Sequence, residues 1–225
     1  RHFTGLRPRV LPSVVQMEAS YTGSEPDVLL AAIHSGGEKV LTGRARAAHR
    51  RVVPLRLKHP DRYTYAGLCR ATAILHLPYQ VSTMSFFEQY AMGIPLIVPT
   101  PEFLWELHDE VDLVSERTWH RVRTGRRPSR SAIGPAIDGS AVPDPNNDTN
   151  RTAFLHWVRY ADWYTWPHLV RFGSWDELGQ VINSTDWAAV SRQMREHNAK
   201  TYTRVQGEML GLLRDARSSR ATAGR

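Results

Sequence analysis

The stretch ATAILHLPYQVSTMSFFEQYAMGIPLIV, residues 71–98, decides the fold. Ala73 to Leu77 is an apolar run that ends at Pro78-Tyr79, as a buried strand does. Ser82 to Met92 reads as a helix, and Ile94 to Val98 as the next strand, stopped by Pro99-Thr100-Pro101. Strand, helix, strand at this spacing marks a βαβ unit and therefore a parallel sheet.

The same alternation extends outward. Upstream, Val28 to Ile33 is a continuous apolar run, ending at His34-Ser35-Gly36-Gly37, and a helix follows to about His49. Arg51 to Leu57 is a second strand, in which Pro54 favours a sheet edge or a bulge. Pro60-Asp61 opens a helix through Leu68. Downstream, Phe103 to about Ser115 is helical, order returns from Phe154 to Tyr164, and His168 to Phe172 is a fifth strand. Ser174-Trp-Asp-Glu177 is a capping box that starts a helix to Ile182. Thr185-Asp186 starts the last helix, whose face is Trp187, Val190, Met194, Val205, Met209 and Leu213. The fold class is thus α/β, a Rossmann-like parallel sheet flanked by helices.

The chain of 225 residues is 41% hydrophobic, enough for one sizeable core. Residues 1–26 form a lead-in and 27–217 the domain. A loop insertion spans about 118–150, and 218–225 is a basic tail. There is no run of about 18 apolar residues, so no spanning helix or membrane contact is expected. The one cysteine, Cys69, excludes an intrachain disulfide and a Cys-rich zinc site. The ten histidines show no paired ligand spacing, and no metal is expected. Three sequons, at Asn147, Asn150 and Asn183, lean toward a Golgi or ER lumen, with a cytoplasmic location the alternative.

The net charge of +7 is carried by 29 basic residues, of which only Lys39, Lys58 and Lys200 are lysines. Arginine suits phosphate because its planar fork donates two hydrogen bonds at once. The arginines are clumped, however, at 121–130 and after 213. This places much of the excess charge on a loop and a tail and not on a folded nucleic-acid face, and Arg121 to Arg130 is expected to be a mobile lid or disordered loop.

In an open α/β sheet, ligands bind beyond the carboxyl ends of the strands. After the first strand, Ser35, Gly36 and Gly37 let backbone amides approach a phosphate, with Lys39 as counter-charge. The plainer reading of Gly36-Gly37 is a turn. After the third strand, Ser82, Thr83 and Ser85 crowd a helix start, where the helix dipole favours anions. Glu88, one turn in, can accept two hydrogen bonds from a vicinal diol. Alternatively, Ser85 and Glu88 form a capping box and nothing more. The block from Trp157 to His168 is dense in aromatic residues, suited to stacking on sugars or to core packing.

Glu88, Ala91, Gly93 and Pro95 form E-x-x-A-x-G-x-P followed by hydrophobic residues. This resembles the signature of the glycosyltransferase-B superfamily, in the C-terminal domain that binds the nucleotide sugar. Arg9 to Ser13 before the first strand looks like that family's interdomain linker. Phe172 to Leu178 with the last helix looks like its closing segment. The resemblance implies that Glu88 holds the donor ribose. Amides and hydroxyls at Ser82, Thr83 and Ser85, with Ser35, Gly36, Gly37 and Lys39, would hold the diphosphate. Many retaining members carry a glutamate eight positions before the second one; here that position is Gln80, a possible sugar contact without charge. The resemblance further implies a hexosyl or pentosyl transferase that uses a nucleoside diphosphate sugar and no metal. Its acceptor would be a glycan, protein or lipid, and an N-terminal partner domain would precede Arg1. Without that domain the chain would be weak or inactive. Two rival readings are a glycosyltransferase-like binding or structural domain without chemistry, and an RNA-binding module.

Overall fold

The computed structural model describes residues 11–116, 142–147 and 149–223, with side chains as far as Arg214. Five short strands form one all-parallel sheet in the order β2-β1-β3-β4-β5. They are β1 (Val28–Leu30), β2 (Val52–Pro54), β3 (Ala73–Leu75), β4 (Leu96–Pro99) and β5 (Val170–Phe172). In register, Val28 is beside both Val52 and Ala73, Ile74 beside Leu96, and Ile97 beside Val170. All five expected strands form, with shifted bounds: β4 runs one residue past Val98 to Pro99, and Leu55 to Leu57, expected in the second strand, are helical. Pro54 lies in an edge strand, where a missing N–H costs no ladder bond.

The helices are α1 (Glu38–Ala48), α2 (Leu55–Lys58), α3 (Tyr65–Cys69), α4 (Met84–Ala91), α5 (Pro101–Val111), α6 (Arg151–Val158), α7 (Asp162–Thr165), α8 (Trp175–Ser184) and α9 (Trp187–Ala223). Alternate strand residues feed two cores, as the two-residue side-chain period requires. Val28, Leu30, Leu75 and Ile97 face Leu41, Leu104, Leu107, Phe154 and Leu178. Leu29, Ile74, Leu96 and Val98 face Leu68, Phe86, Tyr90, Trp163 and Met194. Helices therefore cover both faces: α1, α5, α6 and α8 on one, α3, α4, α7 and α9 on the other.

Several boundaries differ from the sequence expectation. Residues 60–64 are not helical; α3 begins only at Tyr65, because Thr64 Oγ1 accepts the Gly67 N–H at 3.0 Å and caps it there. Residues 154–164 are two helices, broken at 159–161. In α8, Ser174 caps Glu177 as expected, but the Glu177 carboxylate accepts from Gly173 N, one residue before the cap. The last helix packs only through its first part. Met194 is buried, whereas Met209 and Leu213 are 48% and 55% exposed.

Residues 11–26 lie along the domain without regular secondary structure. Tyr21 N–H donates to Met92 O at 2.9 Å, and Asn198 Nδ2 donates to Val15 O at 3.2 Å. The expected tail at 218–225 is helical in its backbone through Ala223. The arginine cluster at 121–130 and most of the 118–150 insertion lie outside the described residues, as does Arg9 of the linker-like segment.

Candidate functional site at the sheet switch point

Strand order reverses between β1 and β3: the chain steps from β1 to β2 on one side, then returns to β3 on the other. The two connections leave the sheet in opposite directions there, and a crevice opens beyond the strand ends. A cavity of about 180 Å³ occupies this place. Ala31, Ala32 and His34 line it from the end of β1, and His76 to Tyr79 from the end of β3. Thr83, Ser85 and Gln89 line it from α4, and Tyr63 closes one side.

The α4 end of this crevice is suited to an anion. Thr83 is the N-cap in extended conformation, yet no side chain caps the helix. The Thr83 and Ser85 hydroxyls instead stand 3.3 Å apart, and the first turn carries no acidic residue. The longer helices that start elsewhere are capped by Thr100, Asn150, Ser174 and Asp186, whose side chains accept N–H bonds at 2.9 to 3.2 Å. Helix α1 also lacks a side-chain cap, but Glu38 in its first turn opposes a second anion. The start of α4 thus combines first-turn amides that no side chain caps, two hydroxyls and the positive end of a helix dipole, with Phe86 N–H already donating to Thr83 O at 3.1 Å.

At the crevice floor, His76 Nε2 lies 2.6 Å from Gln89 Oε1. With Gln89 presenting its oxygen, the imidazole donates from Nε2 and keeps Nδ1 as an acceptor. Burial lowers its pKa to about 4, against which the Gln89 bond works only in part. His76 is therefore neutral near pH 7, a hydrogen-bonding group and not a counter-charge for phosphate.

The residues named from the sequence fall into several places. Thr83 and Ser85 line the crevice together. Ser82 turns to a neighbouring cavity of about 300 Å³, lined by Val81, Trp157, Tyr160 and Asp162 among others. Glu88 stands half-buried on the second turn of α4, near the Tyr65 hydroxyl, whose pKa its charge raises, and it is not among the residues that line the crevice. Because α4 starts at Met84, Ser85 and Glu88 do not form a capping box; Ser85 is already inside the first turn. The Gln80 side-chain amide donates to Glu116. Ser35 Oγ is buried without a hydrogen-bond partner among the described residues. Gly36 and Lys39 are exposed. Gly37 is buried, and a Cβ there would meet Val111 Cβ at 2.6 Å. The smallness of Gly37 thus serves the packing of α1 against the end of α5.

The aromatic block divides in two. Trp163 and Trp166 are buried against Phe86, with ring centroids 4.8 and 5.9 Å away, so this part builds the core behind α4. Trp157 and Tyr160 line the 300 Å³ cavity instead. Sequence reasoning did not single out His76, Gln89, Tyr63 or Glu116. A lone histidine inside the apolar run 73–77 was a usable signal for His76. Gln89 was findable as the residue one turn after Ser85 on the same helix. Tyr63 and Glu116 reach the site only through tertiary contacts.

Among the described residues, no group of three or more His, Cys, Asp or Glu side chains is placed to hold a metal ion, and no helix is long and apolar enough to cross a membrane. No known protein family model, curated protein or solved structure matches the chain.

Proposed function

We propose that this chain is the donor-binding domain of a B-type glycosyltransferase, which takes a nucleoside diphosphate sugar and serves glycosyl transfer to an acceptor hydroxyl. The observation that carries the reading is the start of α4 at the switch point. It leaves its amides uncapped, places the Thr83 and Ser85 hydroxyls in the crevice, and holds the Glu88 carboxylate one turn further on. A diphosphate at the amides and a ribose diol at Glu88 fit this order of groups along one helix. The leaving diphosphate would be stabilised by the helix dipole and hydroxyl donors. Acceptor contacts and the remaining chemistry belong, on this reading, to a partner domain.

The test is calorimetric titration of the chain with UDP, GDP, the matching monophosphates and the free nucleosides. The reading expects diphosphates to bind at least tenfold more tightly than nucleosides, a difference of about 1.4 kcal/mol or more. Equal affinity for nucleoside and diphosphate would reject it. Binding only to RNA, with steep salt dependence, would favour a nucleic-acid module instead.

A further inference from the structure

The cavity of about 300 Å³ beside the start of α4 shares no lining residue with the switch-point crevice. Its walls come from three places: Val81 and Ser82 after β3, Pro145 before α6, and Trp157, Tyr160 and Asp162 around the junction of α6 and α7. These pieces are held together. Asp162 N–H donates to Val81 O at 3.1 Å, which ties the start of α7 to the loop after β3. Trp157 Nε1 donates to Pro143 O at 2.8 Å, which fixes the edge of the indole. The Trp157 and Tyr160 rings stand 6.0 Å apart and are inclined at 48°, so they form two sides of a corner.

The lining is mostly apolar, with one charge. Among the described residues that line the cavity none is basic, and Asp162 is the one acid. Its carboxylate is half-buried and has no hydrogen bond or ion pair among the described residues. Arg159 is engaged elsewhere: its guanidinium lies 5.1 Å from the centroid of the Tyr160 ring and donates to His156 Nδ1 at 3.1 Å. A carboxylate beside apolar walls is costly unless a cation meets it. A phosphate is excluded by the negative charge. A sugar ring would bring more hydroxyls than Asp162, Ser82 and the Tyr160 hydroxyl can pair. A neutral apolar ring would leave the carboxylate facing hydrocarbon. An organic ammonium satisfies both halves of the site. Its charge meets Asp162, and its apolar substituents lie against the aromatic faces, which themselves attract a cation.

We infer that this cavity is a binding site for a small organic cation, an ammonium group with methyl or arylmethyl substituents, held between Trp157, Tyr160 and Asp162. The site is independent of the donor-site reading above, although the two are neighbours: Ser82, on its wall, directly precedes Thr83, the N-cap of α4.

The experiment titrates choline and benzylamine into the full 225-residue chain, beside their neutral counterparts neohexyl alcohol and benzyl alcohol. The better-binding cation should bind saturably and about tenfold more tightly than its neutral counterpart. Asp162→Asn keeps the shape and removes the charge, and Trp157→Leu removes the stronger aromatic face. Each should reduce the preference to about twofold or less, with thermal melts in parallel. Trp157→Phe, which keeps a ring, should retain part of it. If Trp157→Leu does not fold, Asp162→Asn and Tyr160→Leu, at a residue 59% exposed, decide the question. Equal affinity for cation and neutral counterpart would mean an apolar pocket only and overturn the inference. So would a preference that survives Asp162→Asn, or no saturable binding. These titrations contain no nucleotide, so their failure leaves the donor-site reading standing, and a failure of nucleotide binding leaves this site standing.

Discussion

Glu88→Gln removes one charge and preserves shape, so it isolates what the carboxylate does. The N-cap of α4 is Thr83, and Glu88 sits in the second turn, so no capping interaction is lost. Its neighbour is the exposed Tyr65 hydroxyl, which a glutamine oxygen can still accept. Stability should therefore change by less than about 0.5 kcal/mol, as for most surface substitutions. Binding is different. A hydrogen bond to a charged group contributes about 1.5–3 kcal/mol. Losing one such bond to a ribose should weaken UDP or GDP binding by roughly tenfold to a hundredfold. Calorimetric titration measures this, with thermal melts as the control. A second arm uses 2′-deoxy nucleotides: the parent should bind them more weakly than the ribonucleotides, and Glu88→Gln should discriminate far less, as a double-mutant cycle requires. Unchanged ribonucleotide affinity in Glu88→Gln, or a loss matched by a lowered melting temperature, would refute the argument.

Gly37→Ala should destabilise the fold by about 1–3 kcal/mol, because its Cβ would meet Val111 Cβ at 2.6 Å; denaturant midpoints report it, and a neutral effect would show that α1 and α5 can separate freely. His76 makes stability fall on acidification: burial holds its folded pKa at about 4 against 6.5, so its contribution is complete above pH 6.5 and is lost as pH falls toward 4. The loss amounts to about 3 kcal/mol at most, and His76→Gln should show a shallower decline in urea midpoints between pH 7.5 and 4.5. Leu213→Gln, on the exposed part of α9, should leave stability within about 0.5 kcal/mol, and a larger loss would reveal packing that the structure does not show.

The sheet was legible because a parallel strand is buried on both faces, and the runs at 28–33, 73–77 and 94–98 carry no polar interruption except His76. Helix starts were read less well. Pro60 promised a helix that Thr64 in fact begins, since a side-chain cap outweighs a proline at the first position. The apolar face of α9 continues through Leu213, but 37 residues span roughly 55 Å. The domain covers only the first part of that length. Glu88 and the hydroxyls of α4 were visible as a local motif. Gly37 was read for phosphate approach, and its packing partner Val111 lies too far along the chain for any local pattern to expose. The same holds for Glu116, whose meeting with Gln80 depends on where α5 returns the chain.

If the start of α4 is an anion site within a nucleotide crevice, as we propose, its amides must respond to a bound diphosphate. Titration of the ¹⁵N-labelled chain with UDP and GDP, followed by amide chemical shifts, tests it most directly. Saturable shifts should be largest at Met84, Ser85 and Phe86, smaller at His76 and Gln89, and negligible at Lys39 and along α9. Saturable shifts centred elsewhere, on the arginines of α9 or on Gly36 to Lys39, would contradict it, as would the absence of any saturable shift.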